Sequence, residues 1–351
     1  MSQAVGERPA AERLPQSIPD VETLDELLSR PSAALREDLA QVPGDLLILG
    51  VGGKVGPTLA RMAKRASPGR RVIGVARFSD PAVRGRLAEW GVETIACDLL
   101  DRSAVSRLPR LPNVIFMAGR KFGTSGDEPY SWAMNVLCPA ICGEVFHESR
   151  LVAFSTLCVY PFSPVSGKGA GERQATEPVG EYANSCVGRE RVLQHLSARH
   201  RTPGRLIRLA YAIEMRYGVL HDLAADILAG RAIDLTTGHT NLIWQGDAVE
   251  RILRSLRYCA CPVEPLNVGA PENVSIRAAA EALGRALGRA PVFVNREADT
   301  AWTLDCSAAG RFFGPPLVSL ERMIAWTADW ARHGNHSHGK PTLYQRRDGR
   351  F

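Results

Sequence analysis

Gly50, Gly53 and Gly56 stand at the spacing G-x-x-G-x-x-G within Gly50-Val51-Gly52-Gly53-Lys54-Val55-Gly56, directly after the apolar run Leu46–Leu49. Glycines in that order suit a turn that carries a strand into a helix around a pyrophosphate. One makes the tight turn, one lets the phosphates reach the backbone, and one lets helix and strand pack closely. The anion then rests on free N–H groups and the positive end of the helix dipole. A triplet alone says little. Between a first strand and an amphipathic helix carrying Leu59 and Met62, it predicts a dinucleotide site. The second strand ends at Ala76-Arg77-Phe78. An acidic residue there would accept from a ribose 2′-hydroxyl, whereas an arginine suits a 2′-phosphate. Arg77 therefore points to NADP. Asp80 is close enough in sequence to keep NAD as the alternative.

A second group lies in Glu181-Tyr182-Ala183-Asn184-Ser185-Cys186-Val187-Gly188-Arg189. Tyr182 and Cys186 are four residues apart, so a helix puts them on one face. A phenol near pKa 10 is a poor base at pH 7 unless a cation lowers it. A thiol does not do that, and a thiolate would raise the phenol further. Arg189, one turn on, and Lys121 are the cations that could take that part. No histidine is placed beside Cys186 by the sequence, so a passive substitution is the better reading than a covalent nucleophile.

These groups need a scaffold. From Gly44 the sequence alternates short apolar runs with helical stretches. The runs are Leu46–Leu49, Val72–Ala76, 94–96, 114–117, 151–154 and 206–209; helices begin near Val55, Ala82, Tyr130 and Tyr182. Continuous apolar strands alternating with helices predict a Rossmann-type, doubly wound parallel sheet covered on both faces, α/β in class, with a smaller C-terminal substrate-binding lobe. Residues 1–43 are expected to be an extension: irregular to residue 20, then two short helices broken at Pro31, serving packing or oligomerisation. The dinucleotide domain is expected over 44–210, with 240–268 returning to it. Residues 211–239 and 269–351 are assigned to the second lobe and tail, and the polar, basic stretch 333–351 to the surface.

With these pieces placed, the chain resembles the extended short-chain dehydrogenase/reductase family, the sugar epimerases and dehydratases, over about residues 45–335. Cys97-Asp98-Leu99 is similar to the family's adenine-contacting Asp-Leu, and Ala118-Gly119-Arg120-Lys121 to the segment under the nicotinamide ribose. Asn135 matches an asparagine that steadies the active-site turn. Phe154-Ser155-Thr156-Leu157-Cys158-Val159-Tyr160 resembles the S-S/T-x-x-V-Y strand. Gln245-Gly246-Asp247, Asn267-Val268-Gly269 and Ser275-Ile276 resemble later landmarks. The resemblance implies Asp98, Leu99, Ala118, Gly119 and Lys121 at the cofactor, beside Gly50, Gly53, Lys54, Val55, Gly56 and Arg77. It makes Thr156 and Tyr182 catalytic and puts Cys186 where the family's lysine bonds the ribose and lowers the tyrosine pKa. Hydride transfer on a sugar-like substrate follows as the expected activity. A dinucleotide sensor with weak or no turnover is the alternative that Cys186 favours. Thr240 stands where many users of nucleotide-linked sugars carry arginine, so a free sugar or sugar acid is also open. The resemblance further implies a homodimer paired through the helices of Asn135 and Tyr182.

Composition bounds the rest. The chain has 351 residues, 45% hydrophobic and 23% charged, with net charge +6. That is enough apolar content for a large core, and the modest positive balance suits an anionic cofactor. No basic run interleaved with aromatics suggests nucleic acid. The eight cysteines form no C-x-x-C pairs, so neither zinc nor a disulfide framework is expected. His333, His336 and His338 read as a polar tail. Without a secretory signal or a long apolar stretch, a cytoplasmic protein off the membrane is expected. Residues 163–173, with Lys168 and Arg173, read as a loop beside the substrate and a possible lid. Trp132, Tyr211, Glu214, Arg216 and Tyr217 read as core or as pocket lining.

Overall fold

The computed structural model describes residues 14–123 and 125–351. The irregular stretch expected at the N-terminus therefore lies mostly outside the described residues. Two helices follow, α1 (Val21–Leu28) and α2 (Ala33–Ala40), on either side of Pro31. Asp20 and Ser32 cap them by accepting from Thr23 N and Leu35 N.

The sheet begins with β1 (Leu46–Leu49), followed by α3 (Gly56–Ala66), β2 (Val72–Ala76), α4 (Pro81–Glu89), β3 (Glu93–Ala96), α5 (Arg102–Ser106) and β4 (Asn113–Phe116). Next come α6 (Glu128–Trp132), a π-helical turn (Ala133–Leu137), α7 (Cys138–Val145), β5 (Arg150–Thr156) and the long α8 (Gly180–His200). Strands Gly204–Leu209 and Glu264–Val268 complete a seven-stranded sheet. Across the sheet the order is β3-β2-β1-β4-β5, then Gly204–Leu209, then Glu264–Val268, and every pairing is parallel. The order reverses between β1 and β4, which opens the crevice where such sheets bind ligands.

Both faces are covered. One packs Leu46, Ile48 and Ile115 against Leu59 and Met62 of α3 and against helix Gln245–Arg254. The other packs Leu47, Leu49 and Phe116 against α7 and Leu193 of α8. This explains why the strands read as unbroken apolar runs. A separate core joins helices Val219–Ala229, Ile276–Leu287 and Leu320–Arg332.

The N-terminal helices are internal packing elements. Leu24, Leu27 and Leu28 of α1 enter the second core, and Leu35 and Leu39 of α2 enter the sheet core. Asp38 of α2 pairs with Arg254 at 2.6 Å and with Arg257 at 2.7 Å. Two helices thus tie the sheet to the lobe.

Two surface expectations are corrected. Residues 163–173 are not a free lid. Ser163–Pro164 pairs with Thr300–Ala301, Ala170 N donates to Thr303 O at 2.8 Å, and Asn267 Nδ2 donates to Ala170 O at 2.8 Å. The tail is not a surface tail either: Tyr344 and Phe351 are buried, 4% and 6% exposed. Thr342 donates to Asp222 through N (2.8 Å) and Oγ1 (2.5 Å), Thr237 donates to Gln345 O, and Arg347 donates to Thr300. The tail's apolar residues are too sparse to form a periodic signal, and the partners of Thr342 and Gln345 lie more than a hundred residues away.

Candidate active site

The turn after β1 is built as its glycines require. Gly50 has φ +93°, and a Cβ on it would lie 2.5 Å from Ala118 N. A Cβ on Gly56 would lie 2.0 Å from the Val51 carbonyl oxygen, so only glycine lets α3 start this close to the strand. Beside the turn, a cavity of about 330 Å³ runs across the ends of β2, β1 and β4. Gly50, Gly53, Arg77, Asp98, Leu99, Ala118 and Gly119 all line it. Val55 and Gly56 sit behind it as packing. Arg77 is exposed, and its Nη1 donates to Tyr130 Oη at 3.0 Å.

Asn135, on the π-helical turn, holds the next segment. Its Oδ1 accepts from Arg120 N (2.9 Å) and Arg189 Nη2 (2.7 Å). Its Nδ2 donates to Arg120 O and Ser185 Oγ, both at 2.9 Å. A π-turn at a functional site commonly turns a side chain inward in this way. Arg189 also donates to Phe154 O at 2.9 Å and Asn135 O at 3.3 Å. A Cβ on Gly119 would meet its Nη2 at 2.5 Å. Arg189 is therefore a clamp joining β5, α8 and the π-turn, with Nε, Nη1 and Nη2 each engaged.

Tyr182, Cys186 and Thr156 come together where α8 passes the end of β5. Cys186 is 1% and Thr156 7% exposed. Burial pushes the Tyr182 phenol well above its ordinary value. The Cys186 and Cys158 thiols add to that, while Arg189 and a hydrogen bond with Thr156 pull the other way. Burial likewise pushes the Cys186 thiol up to about 11. Both groups are therefore protonated at neutral pH, and Cys186 is neither a nucleophilic thiolate nor a cation.

Lys121 is half-buried, and its Nζ donates to Thr342 O at 3.3 Å. It lies 4.5 Å from the centroid of Phe351 and 5.3 Å from that of Tyr211. Burial lowers its pKa. The Phe351 ring meets Tyr182 edge-on at 5.4 Å and 80°. The tail thus lays an aromatic ring against the phenol, where the dinucleotide's reactive ring was expected. The crevice is open beside Gly50, Gly53 and Asp98, and Phe351 stands against Tyr182.

Sequence reasoning missed three features. Phe351 gave no signal. The ion pair of Glu190 and Arg208 (2.6 Å) is buried on both sides. Ser155 Oγ donates to Glu190 at 2.6 Å, Arg208 donates to Tyr160 Oη at 2.6 Å, and Tyr160 donates to Asn267 Oδ1 at 2.9 Å. This network fixes the base of β5 under Thr156. Third, the pocket residues separate: Glu214 pairs with Arg216 at 2.6 Å, Tyr217 lies 3.2 Å under Lys54 Nζ, and Trp132 is 39% exposed. Thr240 is buried and does not line the cavity at the glycine turn.

No protein-family model matches this chain, and no curated protein matches it. Solved structures do. It is similar to UDP-glucuronic acid 4-epimerase from Bacillus cereus, solved with UDP-glucuronic acid and NAD, at 18% identity and TM-score 0.70, over 82% of this chain and 99% of that one. It is similar to UDP-glucose 4-epimerase from Thermotoga maritima, solved with UDP-glucose, at 17% identity and TM-score 0.69, over 83% and 99%. It is similar to dTDP-glucose 4,6-dehydratase from Bacillus anthracis, solved with NAD, at 13% identity and TM-score 0.71, over 83% and 97%. The chain therefore shares the fold of these two epimerases and this dehydratase.

Proposed function

We propose that the protein binds a nicotinamide dinucleotide along the 50–56 turn and reduces a carbonyl on a sugar-derived substrate. The observation that carries the reading is the open cavity at the β1/β4 reversal, bounded by Gly50, Gly53, Asp98 and Gly119. Gly50 in its wall has φ +93°, and a side chain there would collide with Ala118. The adenosine diphosphate half fits this space. The reactive half fits only when Phe351 withdraws from Tyr182. The neighbours solved with NAD and UDP-glucuronic acid support the ligand classes.

When bound, the dinucleotide supplies the hydride. The chain's own residues handle the proton. Tyr182 donates its phenolic proton to the carbonyl oxygen, and Thr156 orients that oxygen by hydrogen bonding. The direction follows from protonation. A phenol at pKa 10 is ionised in about one molecule per thousand at pH 7, and here the value is higher. Epimerisation and dehydration both begin by oxidising an alcohol, which needs the phenolate. Reduction begins from the phenol that is present.

Reduced-cofactor absorbance, followed with keto sugars, sugar alcohols and their nucleotide-linked forms, tests this. Reduction faster than oxidation at pH 7, abolished by Tyr182→Phe, is expected. Equal turnover in both proteins would remove Tyr182 from the chemistry. A second reading, binding without turnover, is favoured by Phe351 against Tyr182; it predicts tight nucleotide binding with no substrate-dependent oxidation. The protein is also proposed to pair with a second copy through the helices of Asn135 and Tyr182, where Leu137 is 53% exposed.

A further inference from the structure

We infer that the cavity enclosed by α1, α2 and helix Gln245–Arg254 is a second ligand site, and that it takes a small molecule with an apolar body and one protonated amine. Asp247 and Glu250 receive the amine. The cavity shares no residue with the one at the glycine turn, and Tyr182 does not line it.

The space is about 470 Å³, within the range of small-molecule sites, roughly 300–1,000 Å³. One wall is the N-terminal extension, which lies outside the part of the chain that resembles the epimerases and dehydratases. It supplies Leu14, Leu27 and the corner at Pro31 between the two helices. Trp244 leads into the opposite wall, and Phe313 and Leu317 stand beside it. Pro31, Pro315 and Pro316 have no backbone N–H, so the turns in the wall present apolar rings instead of donors. Leu317 is 39% exposed, and the cavity reaches the surface there.

The polar groups of the wall divide into engaged donors and spare acceptors. Each arginine is engaged. Arg251 donates to Gly269 O at 2.9 Å and Gly314 O at 2.8 Å. Arg254 donates to Asp38 at 2.6 Å and Phe313 O at 3.3 Å. Arg30 pairs with Glu26 at 2.6 Å, and Arg36 donates to Arg65 O at 2.9 Å. The carboxyls keep capacity to accept. Glu250 takes a bond from Ser32 Oγ at 2.8 Å and a long one from Ser32 N at 3.4 Å. Asp247 Oδ2 accepts from Val318 N at 3.0 Å, and its Oδ1 meets no donor among the described residues. A carboxylate offers about four acceptor positions. Residues three apart share a helix face, so both carboxyls meet one ligand. A molecule that fits this wall therefore brings donors.

The electrostatics select a cation among donors. Burial raises Asp247 to about 7 and lifts Glu250 above its ordinary value. Bonds from Val318 and Leu317 N and the charge of Arg251 oppose the shift at Asp247, and Glu250 adds to it. Ser32, Arg254 and Arg251 oppose the shift at Glu250. Arg30 and Arg36 are the charges that α1 and α2 place on this wall, and the stretch 313–318 adds none. Either carboxyl makes one ion pair among the described residues, that of Glu250 with Arg254 at 3.8 Å. An ammonium group offers three donors and a compensating charge to both carboxyls at once.

Calorimetry on the full chain with octylamine, 1-octanol and octanoate tests the assignment, because the three probes share an apolar body and differ in head group. At pH 8 octylamine is expected to bind at least about tenfold tighter than 1-octanol, and octanoate weaker than either. Octylamine affinity is expected to fall about tenfold from pH 8 to pH 6 as Asp247 takes up its proton, while 1-octanol stays constant. Asp247→Asn keeps an acceptor for Val318 N and removes the charge. In that variant octylamine should bind no better than 1-octanol, and melting temperatures report that the chain is folded. Equal affinity of octylamine and 1-octanol for the wild type would overturn the amine assignment. Tightest binding by octanoate would make the arginines the readers of the ligand and overturn it too. Binding of none of the three would overturn the site itself.

Discussion

Replacing Phe351 by alanine should open the reactive half of the crevice without touching the adenosine half. Phe351 is 6% exposed and packs edge-on against Tyr182 at 5.4 Å, with Lys121 over its face at 4.5 Å. Burying a phenylalanine side chain contributes about 2–3 kcal/mol, and a T-shaped aromatic contact about 1 kcal/mol more. A whole dinucleotide must displace this ring before its own ring can lie beside Tyr182. An ADP moiety alone need not. A displacement cost of about 3 kcal/mol corresponds to roughly 100-fold in affinity. The strap itself should stay in place, because Thr342 remains bonded to Asp222 and Arg347 to Thr300. Calorimetric titration of wild type and Phe351→Ala with the full dinucleotide and with ADP gives the comparison. The full dinucleotide should gain up to about 100-fold while ADP changes less than about twofold. Equal gains for both ligands, or no gain for either, would refute the claim that this ring occupies the reactive half.

Cys186→Lys should put an ammonium one helical turn from the phenol, lower its pKa and raise alcohol oxidation at pH 7 by about tenfold or more; an unchanged pH–rate profile in a folded variant would count against Tyr182 as the proton donor. Lys54 has its pKa lowered to about 8, first by burial and then by Lys340 and Lys121, so its charge disappears as pH rises through that value. Nucleotide affinity measured between pH 7 and 9 should therefore fall, and Lys54→Met should flatten the profile. Burial raises Asp247 to about 7, against a bond from Val318 N that lowers it. The folded chain then holds a proton that the unfolded chain releases above its ordinary value of 3.8. This group's contribution is full at low pH and is lost as pH rises from about 4 to 7, at a cost of a few kcal/mol. Asp247→Asn should raise the melting temperature at pH 8 and change it little at pH 4. Asn135→Ala removes four bonds and leaves buried donors on Arg120 and Arg189 unpaired; a loss of about 3 kcal/mol or more is expected in urea denaturation.

The sequence carried the sheet and the turn because both are local. Leu46–Leu49 is apolar throughout since each residue is covered on one face or the other, and that shows in four letters. Gly50 and Gly56 follow from sterics within a few residues of the turn, so their spacing could be read directly. Tyr182 and Cys186 share one helix face, and the missing ammonium was equally plain.

What the linear order concealed was mostly long-range pairing. Glu190 and Arg208 look like solvated charges until β5 and α8 bury them together. Arg77 carried the expected charge, yet the buried donors left without acceptors beside the turn are Lys54 Nζ and, from α4, Arg86 Nε. Phe351 is an isolated aromatic in a polar tail, 169 positions from Tyr182 by numbering. A spacing rule reaches as far as one helix or strand. Contacts between residues this far apart are decided by which surfaces the packed elements leave next to one another, so the meeting of Phe351 and Tyr182 appeared only in three dimensions.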